Sequence, residues 1–180
     1  MTQPLRRPAA EQKFAPLALD SVSETGWFSG YASLFGEVDL GRDLVEKGAF
    51  AASLERRGPG GIRMLYQHDP AEVIGRWTLV REDERGLYVE GRLAPGVARA
   101  REVRALMKSG ALDGLSIGFR TVRAKAGGRG SPRRILEADL WEISVVTFPM
   151  LPTARISEVK GFEPLLASIR RAARLMRSAA

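Results

Sequence analysis

The 180-residue sequence contains no cysteine and a single histidine, His68. The first absence excludes a disulfide scaffold, a thiolate zinc site, an iron–sulfur cluster and any cysteine nucleophile. The second excludes a metal centre built from several imidazoles, so any imidazole chemistry must run through His68. No apolar run approaches the roughly eighteen residues of a membrane-spanning helix. The first residues also lack the basic-then-apolar layout of a signal peptide. The expectation is a soluble protein working in a reducing compartment. Aromatic residues are sparse at 7%, but 44% of the chain is hydrophobic. That is enough for one core with tails, in a chain too short for two comfortable ones.

The net charge of +7 is not evenly spread. Ten bases against Glu102 and Asp113 lie in residues 99–134, and six bases against two acids lie in 155–180. Residues 135–154 carry three acids and no base. Such basic blocks suit nucleic acid or an acidic protein surface, and equally a solvated helix face beside a basic loop.

Residues 1–25 read as a leader without periodicity, 26–156 as the working domain, and 157–180 as a basic amphipathic helix. Strand patterns cover 27–35, 62–67, 73–80, 86–93, 115–122 and 135–148, with a charged hairpin turn at 81–85. Residues 48–57 read as a short helix with Phe50 and Leu54 on one face, and 97–109 as a longer one. The longer helix carries an apolar stripe of Ala100, Val103, Leu106 and Met107. A last helix over 162–178 alternates Leu165, Leu166, Ile169, Ala173 and Met176 with arginines. Residues 123–134 read as a basic, Gly-rich loop. The pattern predicts an α+β, mostly β fold: an antiparallel β-barrel flanked by helices.

Three places could carry chemistry. His68 leaves an apolar strand just before Asp69-Pro70, which should bend the chain and free the imidazole; a lone histidine there also suits a structural hydrogen bond. In Leu115-Ser116-Ile117-Gly118-Phe119, alternation sets Ser116 and Gly118 on the face opposite the apolar residues. Gly114 and Gly118 keep that face low, open to a substrate or simply to a neighbouring backbone. In Asp139-Leu140-Trp141-Glu142-Ile143-Ser144-Val145-Val146, alternation groups Trp141, Ile143 and Val145, with Leu140, Glu142, Ser144 and Val146 opposite. A carboxylate inside so apolar a strand needs a strong donor or cation. An imidazole N–H would make a Ser–His–acid arrangement, and an arginine would make a salt bridge.

Together, Tyr66-Gln67-His68-Asp69 with Ile74-Gly75, Gly114-Leu115-Ser116-Ile117-Gly118-Phe119, and Leu140 to Pro149 resemble the HK97-type phage prohead maturation proteases. Gly30-Tyr31-Ala32 and Gly48-Ala49-Phe50 fit the same family, and the likeness covers roughly residues 26–156. The resemblance implies a serine endopeptidase with the β-barrel of the herpesvirus assembly proteases and no metal or organic cofactor. It makes Ser116 the nucleophile, His68 the general base and Glu142 the third member, with Asp139 and Asp69 as alternatives. The herpesvirus relatives use a second histidine, which this chain lacks. The implied substrates are the major capsid protein and scaffold, with self-cleavage as a further reaction. The implied place is the assembling procapsid in the cytoplasm of a bacterial host. Neither nucleic acid nor membrane is an expected partner, and a homodimer or higher oligomer stays open. The alternative is a non-catalytic basic β-barrel that binds nucleic acid or acts as a structural capsid-assembly protein.

Overall fold

The longest strands of the chain organise the rest. A computed structural model describes residues 25–128 and 130–158, so the helix over 162–178 and all but the last residue of the expected leader over 1–25 lie outside the described residues. In chain order the elements are β1 (Trp27–Leu34), β2 (Asp43–Val45), α1 (Ala51–Arg57), a 3₁₀ turn (Pro59–Gly61), β3 (Arg63–Tyr66) and β4 (Asp69–Glu82). They continue with β5 (Gly86–Leu93), α2 (Ala98–Lys108), β6 (Gly114–Lys125), β7 (Arg133–Val146) and β8 (Ile156–Glu158).

One mixed sheet runs β2-β7-β3-β4-β5-β1-β8, with β6 also paired to β7. β7 is its spine. β6 pairs antiparallel along nearly its whole length. On the other edge β2 and β3 pair parallel with its start and its end. The expected antiparallel pattern therefore holds for most of the sheet but not for these two pairs. The sheet curls into a half-barrel, the fold expected from the sequence. The segment 154–156 bridges its two ends. Leu115 N–H donates to the Ala154 carbonyl and Ile156 N–H to the Asp113 carbonyl, while Tyr31 N–H donates to the carbonyl of Arg155.

The concave face holds a continuous core that includes Phe28, Met64, Ile74, Leu87, Leu115, Leu140 and Ile143. α1 adds no full apolar face; Phe50, just before it, is buried and leads the chain onto β7. α2 packs on β4 and β5 through Ala100, Val103 and Met107. Leu106, expected in that stripe, is 40% exposed. It lies one position before Met107, on the flank of the stripe rather than its centre.

Two further differences bear on the site. The chain reverses at Gln67–His68, and Asp69-Pro70 already belong to β4, so the bend precedes the proline. β7 carries an extra residue at Trp141: Gly118 faces Glu142, but the next residue, Phe119, faces Leu140. The expected grouping of Trp141 with Ile143 and Val145 is thereby broken. Leu140 is fully buried with them, and Trp141 is half exposed.

Candidate functional site

The two-residue loop between β3 and β4 fixes His68. Gln67 and His68 have φ of +55° and +61°, the left-handed region that residues other than glycine seldom occupy, Asn, Asp and His less seldom than the rest. Tight antiparallel hairpins with both central residues at positive φ match the twist of their strands, normally with Asn-Gly or Gly-Gly in those places. Two side-chain-bearing residues there cost about 1–2 kcal/mol each. Residues at the end of β7 and just beyond it hold the loop in place. Gln67 N–H donates to the Val145 carbonyl, and its side-chain amide donates to Thr147 Oγ1 at 2.6 Å while accepting from Thr147 N–H at 3.3 Å. His68 N–H donates to Ser144 Oγ at 3.1 Å.

The insertion at Trp141 fixes Glu142. A bulge re-aims the side chains that follow it, and here it sets Glu142 and Ser144 on the side of the sheet away from Leu140. The Glu142 carboxylate spends both oxygens locally. Oε1 lies 2.6 Å from His68 Nδ1, and Oε2 accepts from Ser144 Oγ at 2.6 Å. The Glu142 side chain is 12% exposed, whereas that of His68 is 41% exposed and reaches solvent. The hydrogen bond to Glu142, joined by its charge, raises the His68 pKa above the ordinary imidazole value, against a desolvation that lowers it.

Ser116 stands directly opposite Ser144 in the β6–β7 ladder, and Gly118 opposite Glu142. Side chains directly opposite each other share a face, with Cβ atoms about 5 Å apart. Ser116 is 3% exposed, and its hydroxyl has no hydrogen-bond partner. A buried hydroxyl without a partner is uncommon and costs about 1–3 kcal/mol. The sequence suggested that Gly118 lowers this face for a substrate or a backbone. In the fold its space is taken by Glu142, whose Oε1 lies 2.1 Å from where a Cβ would be.

The structure thus brings Ser116, His68 and Glu142 to one patch where β3, β6 and β7 meet. It does not bring the alternatives there. Asp139 accepts from Arg57 Nε and Nη2 at 3.0 Å each, from Arg56 Nη2 at 2.5 Å and from Trp141 Nε1 at 3.1 Å. The Arg57 guanidinium and these donors hold its carboxyl far below the usual carboxylate range. The salt-bridge reading of the acidic strand describes Asp139 and not Glu142. Asp69 accepts from Ala71 N–H at the start of β4 and bonds nothing at the site. The sequence signal for Ser144 is its i, i+2 spacing from Glu142, which sets the two on one face of the strand. Gln67 stands in the Tyr66-Gln67-His68-Asp69 segment of the family resemblance, but its residue type does not mark the loop that it anchors.

The basic block of β6 and β7 is largely spent on the protein itself. Arg120 lies 3.7 Å from Asp139, Arg123 3.6 Å from Glu137, Arg133 2.6 Å from Asp43 and Arg134 2.5 Å from Glu46.

Comparison with known proteins gives a consistent picture. The family model described as caudovirus prohead serine protease matches residues 15–166. The chain is 36% identical over 141 residues to the prohead protease of Enterobacteria phage HK97, covering 77% of this chain and 62% of that protein. It is 32% identical over 108 residues to the capsid polyprotein of Pseudomonas phage PAJU2, covering 57% of this chain and 16% of that one. The chain therefore spans less than two thirds of either relative. Among solved structures, the bacteriophage T4 capsid assembly protease superposes with a TM-score of 0.57 at 13% identity, over 68% of this chain and 82% of that one. The KSHV protease, solved in complex with a hexapeptide phosphonate inhibitor, gives 0.53 at 12%, over 72% and 63%. At such identities the likeness is one of fold.

Proposed function

The chain belongs to the caudovirus prohead serine protease family, and we propose that it is a serine endopeptidase with Ser116 as nucleophile, His68 as general base and Glu142 as the acid behind it. The observation that carries this reading is the pairing of an unpartnered buried hydroxyl at Ser116 with a His68–Glu142 hydrogen bond of 2.6 Å one strand away. Catalytic hydrogen bonds to the nucleophile are often unformed before substrate binds.

The chemistry follows from the roles. Glu142 accepts a hydrogen bond from Nδ1–H of His68, which leaves Nε2 as the basic nitrogen. Ser116 Oγ attacks the scissile carbonyl carbon as Nε2 takes its proton, and the imidazolium formed is stabilised by the Glu142 charge. The same proton then passes to the departing amine. Water, activated by the restored imidazole, releases the acyl group from Ser116.

The substrates that fit are the major capsid protein and scaffold of a procapsid, inside the bacterial host, with cleavage of the chain's own tails as a further reaction. This extends the prohead and capsid roles in the relatives' names to the present chain. The competing nucleic-acid reading is weakened by the carboxylates that face Arg120, Arg123, Arg133 and Arg134. The test is incubation of the chain with the capsid protein encoded beside it, wild type against Ser116→Ala. Defined fragments from the wild type alone support the reading. Equal processing by Ser116→Ala overturns it.

A further inference from the structure

Ser144 is fully buried, yet it is a hub. Its hydroxyl donates to Glu142 Oε2 at 2.6 Å and accepts from the His68 backbone N–H at 3.1 Å. With the 2.6 Å contact between Glu142 Oε1 and His68 Nδ1, three hydrogen bonds close a ring. The ring runs from the His68 main chain through the Ser144 hydroxyl and the Glu142 carboxylate to the His68 imidazole.

The two bonds of the Ser144 hydroxyl act on different parts of the site. A carboxylate held through one oxygen can swing about its terminal torsion, which is broad and weakly preferred. Anchoring Oε2 leaves Oε1 fixed on Nδ1. The main chain of His68 sits at a φ of +61°, a conformation that persists only where its surroundings impose it. The Ser144 oxygen satisfies the N–H of that residue. A hydroxyl has one proton, and this one is committed to Glu142, so Ser144 is not a rival nucleophile to the unpartnered Ser116 across the ladder.

We propose that Ser144 is a positioning residue of this site, locking carboxylate and imidazole together so that the neutral His68 carries its proton on Nδ1 and offers Nε2 to Ser116. This rests on the reading of Ser116, His68 and Glu142 as the catalytic set.

The test exploits the single histidine, whose ring nitrogens are the only imidazole signals in the full chain. One readout is the ¹⁵N shift pattern of His68, which distinguishes the Nδ1–H from the Nε2–H tautomer. The other is the rate at which a small alkyl fluorophosphonate labels Ser116. In that reaction Oγ bonds to phosphorus, fluoride leaves and the hydroxyl proton passes to His68. Wild type should show the Nδ1–H form. Ser144→Ala should give a mixture of tautomers and label about ten- to a hundredfold more slowly, the range typical when a partner that orients a functional ligand is lost. In a Glu142→Gln background the same substitution should slow labelling clearly less than in wild type, since only the bond to the His68 N–H is then left for it to remove. An unchanged tautomer, or equal slowing in both backgrounds, overturns the proposal. If Ser144→Ala does not fold, Ser144→Cys, which keeps the volume but donates poorly, is read in the same way. Labelling of wild type at a serine other than Ser116 would instead sink the catalytic assignment itself, whatever Ser144 does.

Discussion

At the scale of single residues, Glu142 fills the space a side chain at position 118 would need. The Cβ of Gly118→Ala would fall 2.1 Å from Glu142 Oε1. Glu142 Cδ and Cγ would lie at 2.8 and 2.9 Å, so the whole side chain must turn away while the strand stays. The expected result is a large fall in kcat with a Tm close to wild type, and a His68 pKa that drops back toward its ordinary value. Titration of the lone imidazole by NMR checks it. The raised His68 pKa also fixes the sign of two pH effects. A general base works when neutral, so cleavage should rise as pH climbs through the raised value. The same shift contributes stability that is fully present below the unfolded imidazole pKa of about 6.5 and is lost as pH rises through the folded value. Glu142→Gln removes the cause of the shift. Its acid limb should move to lower pH while its plateau falls about 10⁴-fold, the scale seen when a triad loses its acid. Ser116→Ala should lose cleavage yet melt no lower than wild type, because the hydroxyl it deletes is buried and unpartnered. A Tm clearly below wild type would mean that this hydroxyl is structural.

At the scale of elements, α1 and β7 are joined less by apolar packing than by Asp139. This carboxylate gathers Arg56 and Arg57 from the helix, with Ser53 Oγ bridging to the Leu140 N–H. Asp139→Asn should therefore lower the Tm and loosen α1, while leaving the rate per folded molecule intact. Thermal unfolding beside a cleavage assay at low temperature separates it from Glu142→Gln, which should do the reverse. The depressed Asp139 pKa adds stability that is present above the unfolded carboxyl value of about 3.9 and is lost as pH falls below it. The strands were readable from their period-two patterns, and α1 and α2 from their apolar spacing and glycine stops. The devices that aim the site were not. A bulge leaves no trace in a two-residue period: Trp141 looks like a core residue until the ladder shows Leu140 in its place. The turn at Gln67–His68 lacks the glycine or asparagine that marks such a loop, because long-range bonds to Ser144, Val145 and Thr147 impose it. Three-residue β2 and β8 enter the sheet through strands distant in sequence, β7 and β1.

At the scale of the molecule, the site depends on how the curled sheet is closed. Ser116 is the third residue of β6, and the start of that strand is held by the segment 154–156, which in turn lies on β1. The closure needs a very close approach of two backbones. A Cβ at Gly30 would lie 2.4 Å from the Arg155 carbonyl oxygen and 2.8 Å from Ile156 Cα. Backbone atoms cannot swing aside as the Glu142 carboxylate can, so Gly30→Ala must push the closing segment off β1. Overpacking of this kind costs about 1–3 kcal/mol, several degrees of Tm in a chain of this size. The loss should also be local before it is global. The amides of Leu115 and Ile156, whose hydrogen bonds tie β6 to that segment, should exchange faster in Gly30→Ala, while those of β4 and β5 keep their protection. Because Ser116 follows Leu115 directly, fluorophosphonate labelling should slow in step with that opening. Amide exchange and labelling measured on the same variant decide the point. Faster exchange at Leu115 with an unchanged labelling rate would show that the barrel's closure and the nucleophile's position are independent.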